Sequence, residues 1–391
     1  LITLIFFIVT PYGIVLVEAK VAWHVETVDS AEHVGEWSSL ALDRNGEPHI
    51  SYYDVSNGDL KYAHRSGGSW VIETADSEGV VGLFTSLALD SEDRPHISYY
   101  DWTKGVLKYA HKANGIWVME VVDSYGRVGE DTSLALDSAG RPHICYRDQT
   151  NGFLKYACKA NGVWHFETVD RDSDAGWYTS LALDSNGNPH VSYLQWTRGD
   201  LKYACRVNGS WFIETVDSAG YVGEWTSLAL DSSLRPHISY YDWTNGDLKY
   251  AYKTESGWSI EVVDSTEKVG EYTSLVLDRW GNPYISYFDN SNYRLKYAFK
   301  VAGAWVTEIV DSSGHVGWFS SLALDSDGNL HISYFESTKG NLKYACSKAE
   351  NAEQSWMETF WPYLATTATA SVALIFVIRK IWRSKRDRAV R

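Results

Sequence analysis

The sequence predicts an all-β fold, a seven-bladed β-propeller closed by its own N-terminal strand. Three observations predict it. A 47-residue unit recurs seven times without an insertion, each unit carries four short β-like runs, and the chain ends are one strand out of phase with the repeats. Periods of 40 to 50 residues belong to propellers and solenoids, and four strands make one propeller blade. The rest of the composition agrees. With 45% apolar and 22% charged residues the 391-residue chain can bury a core, and its 18 Trp and 26 Tyr against 2 Met favour strands over helices.

The repeat is read from three markers. Ser-Leu-Ala-Leu-Asp ends at Asp43, Asp90, Asp137, Asp184, Asp231, Asp278 and Asp325, with Val276 the one variant inside it. Leu-Lys-Tyr-Ala recurs at the same interval around Lys61, Lys108, Lys155, Lys202, Lys249, Lys296 and Lys343, as does a Trp from Trp23 to Trp305. In the second copy the four runs are 85–90, 96–101, 107–111 and 117–123, separated by turn residues and filled with β-branched and aromatic side chains. No stretch of the repeats carries a helical period.

Closure follows from the ends. The propeller is expected over residues 20–348. It begins with a lone Trp-type strand, 21–29, and its last copy stops after Leu342-Lys343-Tyr344-Ala345 without such a strand. The first strand therefore completes the seventh blade and hides the free edges.

Turn chemistry sets an expected register. Asn57-Gly58, Asn151-Gly152 and Asn245-Gly246 suit two-residue type I′ hairpins. That register pairs Asp54 with Lys61, Asp101 with Lys108 and Asp242 with Lys249 as ion pairs within blades. It also sets Cys145 opposite Cys158, close enough for a disulfide. Cys205 and Cys346 occupy the Cys158-type position of blades four and seven, too far apart to join. The Asp closing each first run reads as a turn cap.

Leu181–Tyr193 (Leu-Ala-Leu-Asp-Ser-Asn-Gly-Asn-Pro-His-Val-Ser-Tyr) resembles the first hairpin of NHL-type propeller blades, and the run from Leu322 to Tyr334 is closer still. The Asp-x-x-Gly turns are loosely similar to the Asp-box turns of sialidase-like propellers. The resemblance implies a propeller across 21–348. It implies no single function, because propellers host binders, hydrolases, lyases and scaffolds.

Both ends read as membrane signals. Residues 1–19 are expected to be a secretory signal lacking its basic start, with small residues before Lys20. After a linker, 349–361, residues 362–378 are uncharged and flanked by Trp356, Trp361 and Trp382, as a transmembrane helix would be. Residues 379–391 form a basic tail with seven Lys or Arg and one Asp. The expectation is a single-pass protein with its propeller outside the cell.

Net charge is −15, so the chain before that tail carries −21, which argues against a nucleic-acid ligand. Residues identical in every copy are read as architecture. The histidines His49, His96, His143, His190, His237 and His331 start separate blades and cannot share a metal at coordination distance, so no metal or other cofactor is expected. The loop from Asp170 to Asp174, with three alternating Asp, is the one place where Ca²⁺ is entertained.

Function is sought where the copies differ on one face. The loops leading into the first strands bring Trp37, Phe84, Tyr178, Trp225, Tyr272 and Phe319, preceded by Trp177 and Trp318 or by Glu36, Glu130, Glu224 and Glu271. The loops between second and third strands add Trp102, Trp196 and Trp243, beside Asp101, Gln195 and Asp242. Arg147 alone replaces the Tyr, Phe or Leu of the other copies. Aromatic faces next to carboxylates suit sugar rings, and Tyr and Trp also suit protein contacts. The expectation is a non-catalytic rim that binds a glycan or cell-envelope polymer. A protein-binding scaffold is the alternative, and a polysaccharide lyase or glycoside hydrolase, using Arg147 with a nearby Tyr or His, is the second alternative.

Overall fold

A β-rich, turn-punctuated repeat can bury both faces of a sheet by stacking sheets side by side around an axis, and the chain does so in seven four-stranded sheets. The computed structural model describes residues 6–10, 13–17 and 22–348, and every regular element among them is a strand. In the segment expected to be a secretory signal, β1 (Phe6–Thr10) and β2 (Gly13–Val17) pair as an antiparallel hairpin. The linker, the transmembrane segment and the basic tail expected over 349–391 lie outside the described residues. Among the described residues no helix is long and apolar enough to cross a membrane. Trp23–Ser347 form one compact unit.

After β3 (Ala22–Asp29), the first blade is β4 (Val34–Leu42), β5 (Pro48–Asp54), β6 (Asp59–Ser66) and β7 (Ser69–Asp76), paired in that order. Strands β8 to β27, residues 81–311, repeat this in five blades. The seventh consists of β28 (Val316–Leu324), β29 (Leu330–Glu336) and β30 (Asn341–Lys348), with β3 as its outer strand. The ring closes as the sequence predicts.

Burial explains the composition of each strand. The second strand, Pro-His-Ile-Ser-Tyr-Tyr-Asp in β5, is buried at every position because sheets cover both its faces. The fourth strand is exposed over most of its length and is buried only at its last two residues. Each first strand crosses close over the third strand of the preceding blade. A Cβ at Gly129, which has φ +112°, would lie 2.8 Å from the Cα of Leu107, so the contact demands glycine.

The recurring charges join blades to one another. The Asp that ends each fourth strand accepts a hydrogen bond from a Tyr in the second strand of the next blade. Tyr52 to Asp29 is 2.7 Å, Tyr193 to Asp170 is 2.6 Å and Tyr240 to Asp217 is 2.8 Å. The Leu-Lys-Tyr-Ala lysine of that next blade reaches the same carboxylate, as Lys108 does Asp76 and Lys202 does Asp170 at 2.9 Å. Every seam carries this latch, including the one that β3 makes with the first blade. Burial alone would raise the Asp76 carboxyl, but the bonds from Lys108 and Tyr99 hold it below its usual value. A second clasp lies farther out. Glu73 accepts from Lys112 and Trp117, and Glu167 pairs with Arg206 and accepts from Trp211.

Two expectations from the register need correction. The loop between second and third strands holds four residues, not two. Asp54 lies opposite Asp59, the Gly58 N–H donates to the Asp54 carbonyl at 2.8 Å, and the Asp54 carboxylate caps Asn57. Asn-Gly thus serves an Asp-capped loop, in which only the glycine is left-handed. The lysines do approach the second-strand Asp, Lys249 to Asp242 at 2.8 Å and Lys108 to Asp101 at 3.8 Å, but diagonally, while also reaching the preceding blade. The shift separates the expected disulfide. Cys145 faces Tyr156, Cys158 faces His143, and all four cysteines are free thiols. The turn-capping Asp behaves as predicted: Asp43 accepts from the N–H groups of Asn45 and Glu47, each at 2.8 Å.

Candidate functional site

The loops leading into the first strands and those between second and third strands share one face of the ring. On that face every first strand carries a bulge, because the pairing skips from Glu36 to Ser39 in β4 and likewise in each copy. The bulged residue is left-handed in all seven: Trp37, Phe84, Asp131, Tyr178, Trp225, Tyr272 and Phe319 have φ between 48° and 53°. Bulky residues rarely adopt this conformation, and bulges re-aim side chains at functional places. Here the bulge turns six rings toward one another. Phe84 touches Trp37 at 5.1 Å between centroids, Trp37 touches Phe319 at 5.2 Å, and Phe319 touches Tyr272 at 4.6 Å. Tyr272 meets Trp225 at 4.8 Å, and Trp225 meets Tyr178 at 5.2 Å. They form a girdle with one gap, at Asp131.

Asp131 is the site residue that the sequence reading passed over. Its signal was the spacing itself, since it stands 47 residues from Phe84 and from Tyr178. Burial, with Glu130 adding to it, pushes its carboxyl up to about 7, although the Tyr178 backbone N–H donates to it. Glu224 is also buried, and burial next to Glu271 pushes it up to about 7. Glu271 accepts from the Asn290 side chain at 2.7 Å, and Glu36 lies 3.1 Å from the His33 ring.

Blade three departs from the pattern at several points together. Arg147 is buried and reaches Glu130 at 2.9 Å and Asp174 at 2.7 Å, while its guanidinium lies 3.9 Å from the centre of the Trp177 ring. Trp177 donates to Asp174 at 3.1 Å. Cys145 stands where the other six copies have a serine. At those seams a Thr or Ser hydroxyl bonds that serine, as Thr85 does Ser51 at 2.7 Å; Thr179 has the Cys145 thiol in its place and also donates to the Asp131 carbonyl, as Ser38 and Ser320 do to the carbonyls of Phe319 and Tyr272. The three aspartates of the loop from Asp170 to Asp174 each have cationic partners. Asp170 and Asp172 take Lys202, Asp172 also takes Arg198, and Asp174 takes Arg147.

The other predicted site residues divide by exposure. Trp102, Trp196 and Trp243 are 50%, 38% and 64% exposed on the outer part of this face. Arg127 lies 4.9 Å from the Trp102 ring centre. Trp177 and Trp196 meet at 4.8 Å, Trp196 and Tyr221 at 5.3 Å, and Tyr221 and Trp243 at 6.1 Å, which makes a continuous aromatic ladder across blades four and five. Trp37 and Trp225 belong to the girdle, and Trp318 packs against Tyr272 and Phe288. Asp101, Asp242 and Gln195 are fully buried beneath the loops, where each caps loop N–H groups. On the opposite face the recurring histidines bond tyrosine hydroxyls, as His49 does Tyr62, and burial beside His64 pushes His49 down to about 4.

The chain matches no family model and no curated relative. Its fold is similar to solved propellers. An ulvan lyase bound to a saccharide aligns with a TM-score of 0.57 at 14% identity, over 82% of this chain and 95% of that one. A second polysaccharide lyase aligns at 0.55 and 11%, over 82% and 91%. The YCF48 protein of Cyanidioschyzon merolae aligns at 0.53 and 10%, over 84% and 99%.

Proposed function

We propose that this propeller is a non-catalytic binding protein of the cell surface whose loop-bearing rim holds a glycan or cell-envelope polymer. One observation carries the reading. Trp102, Trp196 and Trp243 hold one loop position in three blades, keep large faces in solvent and are braced from beside or below by Arg127, Trp177 and Tyr221. Indole faces fixed in this way can stack on the C–H faces of sugars, and a rigid ring spends little entropy on binding. The polysaccharide lyases with this fold lend background only, since at such identity the likeness is one of architecture. A lyase or hydrolase finds less support. Arg147, the cation such a site would use, is held by two carboxylates and is not offered to a substrate. The expected secretory and membrane segments would place the rim outside the cell.

The continuity of the ladder from Trp177 to Trp243 favours an extended ligand lying across two blades, and a protein surface is the second reading on that ground. A glycan and polysaccharide array probed with the purified chain and with its Trp102→Ala, Trp196→Ala, Trp243→Ala triple variant tests the proposal. The expected result is binding that the triple change reduces at least tenfold without altering the melting temperature. Absence of binding by the parent chain would overturn the glycan reading in favour of a protein partner.

A further inference from the structure

Blade six breaks a glycine rule on the loop-bearing face. The last residue of the four-residue loop between second and third strands is left-handed in every blade. Six blades place glycine there, Gly58, Gly105, Gly152, Gly199, Gly246 and Gly340, with φ between 69° and 77°. Blade six places Tyr293 there, at φ +55°. A bulky side chain in this region is an outlier, and such strain persists where something other than local preference holds it. The fold asks nothing of the side chain. What the position supplies to the ring is its carbonyl, which accepts from the N–H that opens the next blade. Gly58 accepts from Val81 at 2.8 Å, Gly105 from Val128 at 3.1 Å and Tyr293 from Val316 at 3.1 Å. Six glycines do that work with no side chain at all.

Space there is scarce as well. A Cβ at Gly340 would lie 2.8 Å from the His33 Cα, and one at Gly199 would lie 2.6 Å from the Tyr221 ring. A side chain at this place is therefore aimed at the tip of the next blade's entry loop. In blade seven that tip is His315, and Tyr293 lies flat against it, with centroids 4.2 Å apart and planes 18° apart. Tyr293 is nevertheless 42% exposed, and His315 is exposed too. The imidazole covers one face of the phenol, so what solvent reaches is the rest of that ring: its second face, its edge and its hydroxyl. This braced ring stands on the same face as the ladder that ends at Trp243, one blade farther on. Lys268 stands where the two loops meet. It lies against Gly246 in the loop of Trp243, its carbonyl accepts from the Asn290 N–H, and its own N–H donates to the Ser291 hydroxyl at 3.0 Å in the loop of Tyr293. Lys268 is exposed and forms no ion pair among the described residues.

We propose that Tyr293 is a further ligand-stacking residue and that the rim grips an extended run of a polysaccharide. The run passes from Trp196 in blade four through Trp243 in blade five to Tyr293 in blade six, with Lys268 donating to sugar oxygens between the last two. The proposal rests on the rim reading and adds that the ligand is the interior of a polymer rather than a single terminal sugar. Rings on three successive blades serve together only for a chain that crosses all three, and each contact made raises the effective concentration for the next. A left-handed Tyr weakens the fold, and a ligand contact accounts for that cost where the architecture does not.

The test is titration calorimetry of the purified chain with cellohexaose, chitohexaose and a galacturonate hexamer, and with the disaccharide of each. The variants are Tyr293→Gly, Tyr293→Phe and the rim triple variant. The proposal expects at least one hexasaccharide to bind the parent chain at least tenfold more tightly than its disaccharide. Tyr293→Gly should weaken that hexasaccharide at least fivefold and leave the disaccharide unchanged. Its melting temperature should stand at or above the parent's, because the change removes the strain, and Tyr293→Phe, which keeps the ring, should keep most of the affinity. Equal affinity for the two lengths would overturn the extended track. Hexasaccharide binding that survives Tyr293→Gly but is lost in the rim triple variant would overturn the role of Tyr293 and leave the rim standing. Loss of both lengths in Tyr293→Gly, with a melting temperature lowered by several degrees, would make Tyr293 a packing residue and overturn the proposal as well. Binding of no sugar by the parent chain would overturn the rim reading and this extension with it.

Discussion

The seam between blades three and four differs from the other six, and the difference separates what builds the ring from what the ring was given to do. At every seam a buried Asp accepts from a Tyr of the next blade at 2.6 to 2.8 Å, with a Lys of that blade within 3.8 Å. Nothing in that latch distinguishes one blade from another. At the seam of blades three and four the latch persists, but above it Asp131 replaces an aromatic ring, Arg147 replaces an apolar or phenolic side chain, and Cys145 replaces a serine. Sevenfold repetition pays the cost of closure, and one broken seam gives the face a direction.

The largest effect is expected from breaking the common latch. Asp76→Ala leaves the Lys108 ammonium and the Tyr99 hydroxyl buried without their acceptor. Removing one partner of a buried pair costs about 3–5 kcal/mol. Asp174→Ala, at the irregular seam, removes a carboxylate whose side chain is 34% exposed and should cost only about 1 kcal/mol. Chemical denaturation of the two variants checks the contrast, and equal losses would erase it.

Arg147→Met asks whether the irregular seam is itself a structural device. It keeps volume over Trp177 but leaves Glu130, also buried, without its cation. A loss of about 2–4 kcal/mol is expected in chemical denaturation. A loss below about 1 kcal/mol would mean that Arg147 serves the face rather than the fold.

How far the sequence discloses this depends on what repetition can report. The blade count, the closure by the strand at 22–29 and the capping role of Asp43 are all legible, because each is a local signal written several times. Register was lost by two residues because Asn-Gly fits two loop geometries and only the Asp54 cap chooses between them. That slip alone created the expected Cys145–Cys158 bridge. The aromatic girdle was half legible. Its members could be named from the period, but a left-handed bulge that gathers them at the axis depends on packing between blades, and Asp131 was invisible to a search for aromatic residues. The buried state of Asp101, Asp242 and Gln195 belongs to the same missed loop, since each accepts from a backbone N–H of the four-residue turn that covers it.

The buried acids Asp131 and Glu224 should mark this face in a pH titration of stability. Asp131 and Glu224 both stand at about 7 in the folded chain, above the ordinary 3.8 and 4.5. A carboxyl whose value is raised by folding stabilises the fold fully below its unfolded value and loses that contribution as pH rises through the folded one. Stability should therefore fall between about pH 4 and pH 7, by on the order of 1–3 kcal/mol after allowance for relaxation, and level off above. The Asp131→Asn, Glu224→Gln double variant should flatten that slope. Were the slope to survive the double change, other groups would own it.

The smallest effect is the most specific to the comparison. Cys145→Ser restores the residue found at the other six seams, where Thr85, Thr132, Thr226 and Thr273 donate to a serine at 2.7 to 2.9 Å. A serine there gives the Thr179 hydroxyl an oxygen partner in place of sulfur, and the gain should be about 0.5–1 kcal/mol, the worth of one hydrogen bond. The bond to the Asp131 carbonyl need not be given up, because Ser38 bonds both Ser333 and the Phe319 carbonyl, and Ser320 both Ser286 and the Tyr272 carbonyl. The expected outcome is a slightly higher melting temperature. An unchanged melting temperature would mean that Cys145 is a tolerated substitution and that the irregular seam is tuned by Asp131 and Arg147 alone.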